Sequence, residues 1–199
     1  MPLPVSTQKS RKTFTRDRID WADLPEDDGV TLDFRFVPGR GVIYEGSTRT
    51  QHRPFWTSHP IDLIRLTQGA QGASWFGNFT DGDALLFTGG DRPLNAAPVR
   101  ESLVLNFDTP ITGAAVQFQA RLMSWNASLD FVAHMVLVGE SPNQFADVSA
   151  PGRSSNACDG SAVLLAAKAS SAKVRRIELY VTDVSGIPLD FAINRLDIA

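Results

Sequence analysis

Over its second half the chain places an apolar side chain at every second position, and that rhythm leaves little choice of fold. Leu103, Leu105 and Phe107 share one parity. So do Val116, Phe118, Ala120 and Leu122, then Leu129, Phe131, Ala133, Met135 and Leu137, then Ile177, Leu179 and Val181. Successive side chains of a strand point to opposite faces, whereas a helix repeats every ~3.6 residues, so each run predicts a half-buried strand. Upstream, Val30, Leu32, Phe34 and Phe36 alternate with Thr31, Asp33 and Arg35, and Val42–Tyr44 follows a Pro/Gly turn as a partner strand. Ala84–Thr88 is a short apolar strand, and Ala162–Ala166 is apolar without alternation, the pattern of a strand buried on both faces. In the last run Leu189, Phe191 and Ile193 hold one parity and Leu196 and Ile198 the other, so one extra residue near Asn194–Arg195 predicts a β-bulge. Fifteen glycines and twelve prolines supply the turns between runs. The expected fold is all-β, a two-sheet antiparallel β-sandwich or jelly roll.

Two stretches read differently. Residues 1–18 are polar and basic and predict a loosely ordered arm ahead of one domain over 19–199. Residues 46–60, polar and aromatic, predict a long loop, and Asp108–Pro110 a turn. A net charge of −3 offers no basic footprint for nucleic acid. No stretch is long and apolar enough to insert in a membrane, and residues 1–30 lack the order of a signal peptide, so the chain as written reads as a protein that stays where it is made. Cys158 stands alone and reads as a structural residue.

Candidate site residues concentrate in 46–83. Trp56, Trp75 and Trp125 lie in or beside turn-rich segments, where an indole can floor a shallow polar pocket or pack over the end of the sandwich. Arg53, Trp56, Trp75 and Asn78 are the expected ligand-binding residues, Trp56 being flanked by His52, Arg53 and His59. Asn78, Asp81 and Asp83 surround Gly82 and offer oxygens to a hard cation such as calcium, with Asp159 and Asp190 as supplementary ligands. The competing reading is a turn in which these side chains bond their own backbone. His134 takes the outward parity of its strand and reads as solvated.

Three pieces carry a resemblance. They are Trp75–Thr88 with Leu103–Ile111, Ser155–Leu165, and Ile177–Val181 with the ending Asp190–Asp197. Together, over roughly residues 13–199, the chain resembles a bacterial family of uncharacterised jelly-roll domains often found in secreted and sorting-tag (PEP-CTERM-type) proteins. The resemblance implies a galactose-binding-like sandwich, carbohydrate or extracellular-matrix binding, and secretion. The chain departs from that family in showing neither a signal peptide nor a sorting tag. The expected function is a non-catalytic binding module for a carbohydrate or other extended polar ligand. The alternatives are a structural or assembly protein, which would self-associate or dock a partner through the apolar outward residues Val132, Val136 and Val138, and a hydrolase acting on a glycan or ester.

Overall fold

The computed structural model describes residues 3–14, 17–23, 36–37, 41–44, 55–58, 63–69, 75–89, 102–124, 127–141, 143–170 and 174–199. Within these the chain forms two antiparallel sheets packed as a β-sandwich. The first sheet is built from β1 (Val5–Thr7), β2 (Asp17–Ile19), β6 (Ile64–Thr67), β7 (Ala84–Phe87), β9 (Gly113–Ala120), β12 (Val163–Ala169), β15 (Phe191–Ile193) and β16 (Leu196–Ile198). Its order is β1-β12-β9-β15-β7-β6, with β16 joining β9 to β2. The second sheet takes β3 (Phe36–Val37), β4 (Gly41–Tyr44), β5 (Phe55–Ser58), β8 (Leu103–Ile111), β10 (Leu129–Val138), β11 (Phe145–Ser154), β13 (Val174–Asp183) and β14 (Pro188–Leu189). It runs β11-β10-β13-β8-β5-β4-β3, with β14 on β13.

The alternating residues meet where the rhythm requires. Leu103, Leu105, Phe131, Ala133, Met135, Leu137, Ile177, Leu179 and Val181 of the second sheet pack against Val116, Phe118, Ala120, Leu165, Phe191, Ile193, Leu196 and Ile198 of the first. The phase break near the C terminus is also present: the strand stops at Ile193 and restarts at Leu196, which keeps both halves of its apolar set in the core. β12 is covered on both faces, as its unbroken apolar run implies, with Leu165 and Ala167 inward and Ala166 outward against Phe14.

Three expectations are revised, and one strand is added. The segment read as a loose arm is, over its described residues, part of the fold. Val5–Thr7 pairs with Ala169–Ala167, the Leu3 N–H donates to the Phe145 carbonyl on the edge of the second sheet, and Phe14 is buried. Leu3 and Phe14 are its buried apolar residues, while Lys9 and Lys12 are exposed and Arg11 and Arg18 pair with Asp197. The loop expected over 46–60 contains β5, whose Phe55-Trp-Thr-Ser sequence suits a strand and which bridges β4 and β8. The turn expected at Asp108–Pro110 is the continuation of β8 through a register shift against β13, between the pairs Asn106↔Arg176 and Ile111↔Val174. Such an irregular stretch tolerates Pro110, which has no N–H to give to a ladder. Finally, β11 was not legible: Pro151 and Gly152 interrupt its pattern, as an edge strand permits. Of the strand expected over 30–37, only Phe36–Val37 lies among the described residues.

Candidate binding face

The expected site residues go to different places. Trp75 is buried in a cluster with Leu66, Phe79, Leu85, Phe87, Ala162 and Ala192 on the outer side of the first sheet, its ring 5.2 Å from that of Phe87. Asn78, 4% exposed, is a clasp between loop and sheet. Its Nδ2 donates to Ser155 Oγ and Ser161 Oγ, both at 2.9 Å, and its Oδ1 accepts from the Ser155 N–H at 2.6 Å. Its own N–H donates to Gln119 Oε1 at 2.6 Å. Gln119 lies on β9, and Gly77 is where the loop comes down on it: a Cβ there would stand 2.0 Å from Gln119 Oε1. The polar atoms of Asn78 are thus engaged within the protein.

Asp83 accepts from the Thr80 N–H and from Asn194 Nδ2, both at 3.3 Å, and Gly82 takes φ +80°, a backbone conformation costly for side chains with a Cβ. Asp81 is exposed at the tip. This is the turn that the Asx reading describes. Among the described residues no group of three or more His, Cys, Asp or Glu gathers as a metal centre. The Asp159 carboxyl is held below its usual value by the Ser161 hydroxyl and N–H, which donate to it. Asp190 is buried beside Arg121, at 3.6 Å. Cys158, at φ +50°, receives the Gln68 amide on Sγ at 2.8 Å.

Arg53, His52, His59 and Trp125 lie outside the described residues. The backbone of Trp56 is described: it occupies β5, at the register position opposite Asn106 of β8. That register makes it part of a row crossing the outer face of the second sheet through Asn106, Arg176, Val138 and Phe145. Residues directly opposite in antiparallel strands share a face.

This outer face is the one broad surface of the sandwich on which no buried apolar cluster forms among the described residues. The next row holds Asp147, Val136, Glu178 and Val104, and the one after it Ser149, His134 and Tyr180. The His134 and Tyr180 rings lie parallel, 4° apart in plane and 4.3 Å between centroids. Tyr180 Oη donates to Asp147 Oδ2 at 3.4 Å, and His134 Nδ1, 3.7 Å from Asp147 Oδ1, is too far for a hydrogen bond. His134, expected to be solvated, is 18% exposed at its side chain because the Tyr180 ring covers it. Burial first, then the charges of Asp147 and Glu178, raise the Tyr180 phenol above its ordinary value, so it stays a neutral donor at physiological pH. Two other charge pairs complete the face: Arg176 Nη2 to Glu178 Oε1 at 2.8 Å, and Arg153 Nη1 to Asp130 Oδ1 at 3.5 Å.

Tyr180, Asp147, Glu178 and Arg176 were not among the expected site residues. The outward parity of 176–182 was readable, and Tyr180 belongs to it. What the sequence lacks is the register that sets Tyr180 beside His134 and brings unrecognised β11 with Asp147 alongside. Compared with models of protein families, with curated proteins and with solved structures, the chain matches none.

Proposed function

We propose that the protein is a non-catalytic binding module that takes an extended polar ligand, a carbohydrate by preference, across the outer face of its second sheet. The observation that carries this reading is the stacked Tyr180–His134 pair, both rings partly exposed, set among hydrogen-bonding side chains on the outer face of the second sheet. Aromatic planes beside a few placed polar groups are what a polar ligand with apolar patches needs. Strand spacing of ~4.8 Å and ~6.7 Å between alternate residues along a strand distribute those groups over a surface suited to a chain-like ligand rather than a compact one. The register position of Trp56 in the adjoining row keeps that residue in the proposed site, whereas Trp75 and Asn78 serve the packing of the first sheet. The jelly-roll, galactose-binding-like family resemblance is consistent with this role and is part of the proposal. Calorimetric titration with a panel of oligosaccharides tests it: binding by the wild type that Tyr180→Ala or Trp56→Ala weakens supports the reading. No heat at millimolar oligosaccharide for any member of the panel would sink it.

A second reading rests on Val132 and Val136, half-buried on this face, and on Phe145, 53% exposed at its edge. Apolar residues so placed also suit self-association. Light scattering over a wide concentration range separates the two, because a strict monomer retires assembly through this face.

A further inference from the structure

Resting on the glycan reading of this face, we infer that Asp147 forms a subsite for a protonated amine, which makes an amino sugar rather than a neutral sugar the preferred ligand. The charges of the face, taken one by one, lead to Asp147. Glu178 is paired with Arg176 and Asp130 with Arg153, both through guanidinium contacts. Asp147, its side chain 45% exposed, has neither a lysine nor an arginine against it among the described residues, and the one side chain there that could carry a positive charge is His134. Its neighbours are the neutral phenol of Tyr180, which donates one hydrogen bond to Oδ2, and His134, 3.7 Å from Oδ1 without a hydrogen bond. An anionic acceptor with a single neutral donor and open lone pairs is complementary to an ammonium group, which brings three donors and no acceptor. The surroundings suit a sugar carrying that group. Phe145 and Ser149 flank Asp147 on the same side of β11, one presenting apolar surface and the other a hydroxyl, and the edge of the Tyr180–His134 stack lies beside them. Aromatic surface beside a carboxylate further favours a cation through the ring quadrupole.

The test compares three oligosaccharides of equal length by calorimetry: an oligomer of glucosamine, its N-acetylated counterpart and a neutral glucose oligomer, in buffer acidic enough to keep the sugar amines protonated, with the wild type and with His134→Gln, which removes the one side chain beside Asp147 among the described residues that acid can make cationic. The wild type should bind the glucosamine oligomer roughly three- to tenfold more tightly than the N-acetylated one, the range for one partly exposed charged contact. Asp147→Asn should abolish that preference, Asp130→Asn should leave it, and added salt should shrink it. Asp147 is exposed enough for its variant to fold, and a matching denaturant midpoint checks this. Equal affinity for the three oligomers, or a preference that survives Asp147→Asn, overturns the subsite while leaving the glycan face standing. Failure of all three to bind removes both. Displacement of the glucosamine oligomer by a lower concentration of oligolysine overturns the assignment to sugar in favour of a basic peptide.

Discussion

On the outer side of the first sheet, loops and the N-terminal segment come down onto small side chains and are held there by polar clasps. On the outer side of the second, the side chains of edge strand β11 are exposed and most of those on β8, β10 and β13 are half-buried. The first side is built for close approach. Ala115, Ala166 and Ala199 receive Phe14, and Ala162 and Ala192 receive Trp75 and Phe79. Two polar clasps flank these patches. One is Asn78 with Ser155, Ser161 and Gln119. In the other, Arg11 bonds Asp197 at 2.7 Å, the Arg195 carbonyl at 3.0 Å, Gln117 Oε1 and Asn194 Oδ1, while Arg18 bonds the other oxygen of Asp197 at 3.0 Å. Burial lowers the Arg11 value below that of a free guanidinium, which marks how far this charge has been drawn from water. Among the described residues of the second side, no buried apolar cluster or clasp of this kind forms. Its polar groups pair along β13, as Arg176 with Glu178, and across strands, as Tyr180 with Asp147 and Arg153 with Asp130. A face closed in this way contributes stability, and a face left open keeps its chemistry available.

The comparison breaks most visibly at Phe79, fully buried in the outer cluster of the first sheet. Phe79→Ala should cost about 3–5 kcal/mol, the range for deleting a buried aromatic, read as a fall in the denaturant midpoint with unchanged slope. A cost below about 1 kcal/mol would mean that the cover is loosely attached and that the sandwich core alone carries the fold. Asp197→Ala should follow at about 3 kcal/mol, because it leaves the drawn-in charge of Arg11 without its carboxylate. The double variant Asp197→Ala with Arg11→Met should recover part of that loss. Asn78→Ala should cost about 2 kcal/mol by stranding the Ser155 N–H and two serine hydroxyls. It should leave oligosaccharide affinity unchanged, which distinguishes a clasp from a ligand contact.

How much of this contrast the sequence carried depends on which interactions are local. Inward parity, the two-sided burial of β12 and the bulge after Ile193 are written in period and phase, and all three were readable. The two outer faces were not, because each depends on which strands are neighbours. Gln117 and Gln119 look solvent-facing in their strand; Gln117 becomes half-buried and Gln119 buried because distant segments, around Arg11 and Asn78, settle over them. Asn78 and Trp75 carry side chains typical of ligand sites, and those same chemistries serve equally to fix a loop onto a sheet. The open face was hidden for the opposite reason. Its members, Trp56, Asn106, Asp147, Arg176, Glu178 and Tyr180, come from four strands, and one of those strands gives no periodic signal.

The smallest effects belong to the open face. Tyr180→Phe tests whether its hydroxyl is part of the folded structure's proton balance. The phenol titrates later in the folded chain than in the unfolded one. Below about pH 10 both states hold the proton and the residue adds no pH dependence. As pH rises from there through the folded value, the unfolded chain releases its proton first, so the folded state loses stability. Tyr180→Phe should therefore match the wild type at neutral pH to within the value of one weak exposed hydrogen bond, and should flatten the alkaline decline. Identical decline in both proteins would show that Tyr180 is no more buried than a free tyrosine. Val136→Thr, on the same face between Asp147 and Glu178, should shift stability by no more than about 0.5 kcal/mol, as expected away from packed sites. A loss near 2 kcal/mol would mean that Val136 is packed against something, as it is when two copies meet there. Repeating the measurement at several protein concentrations decides that point. A penalty that vanishes on dilution belongs to an interface between copies, and one that persists belongs to the monomer, which would make the second sheet as closed as the first.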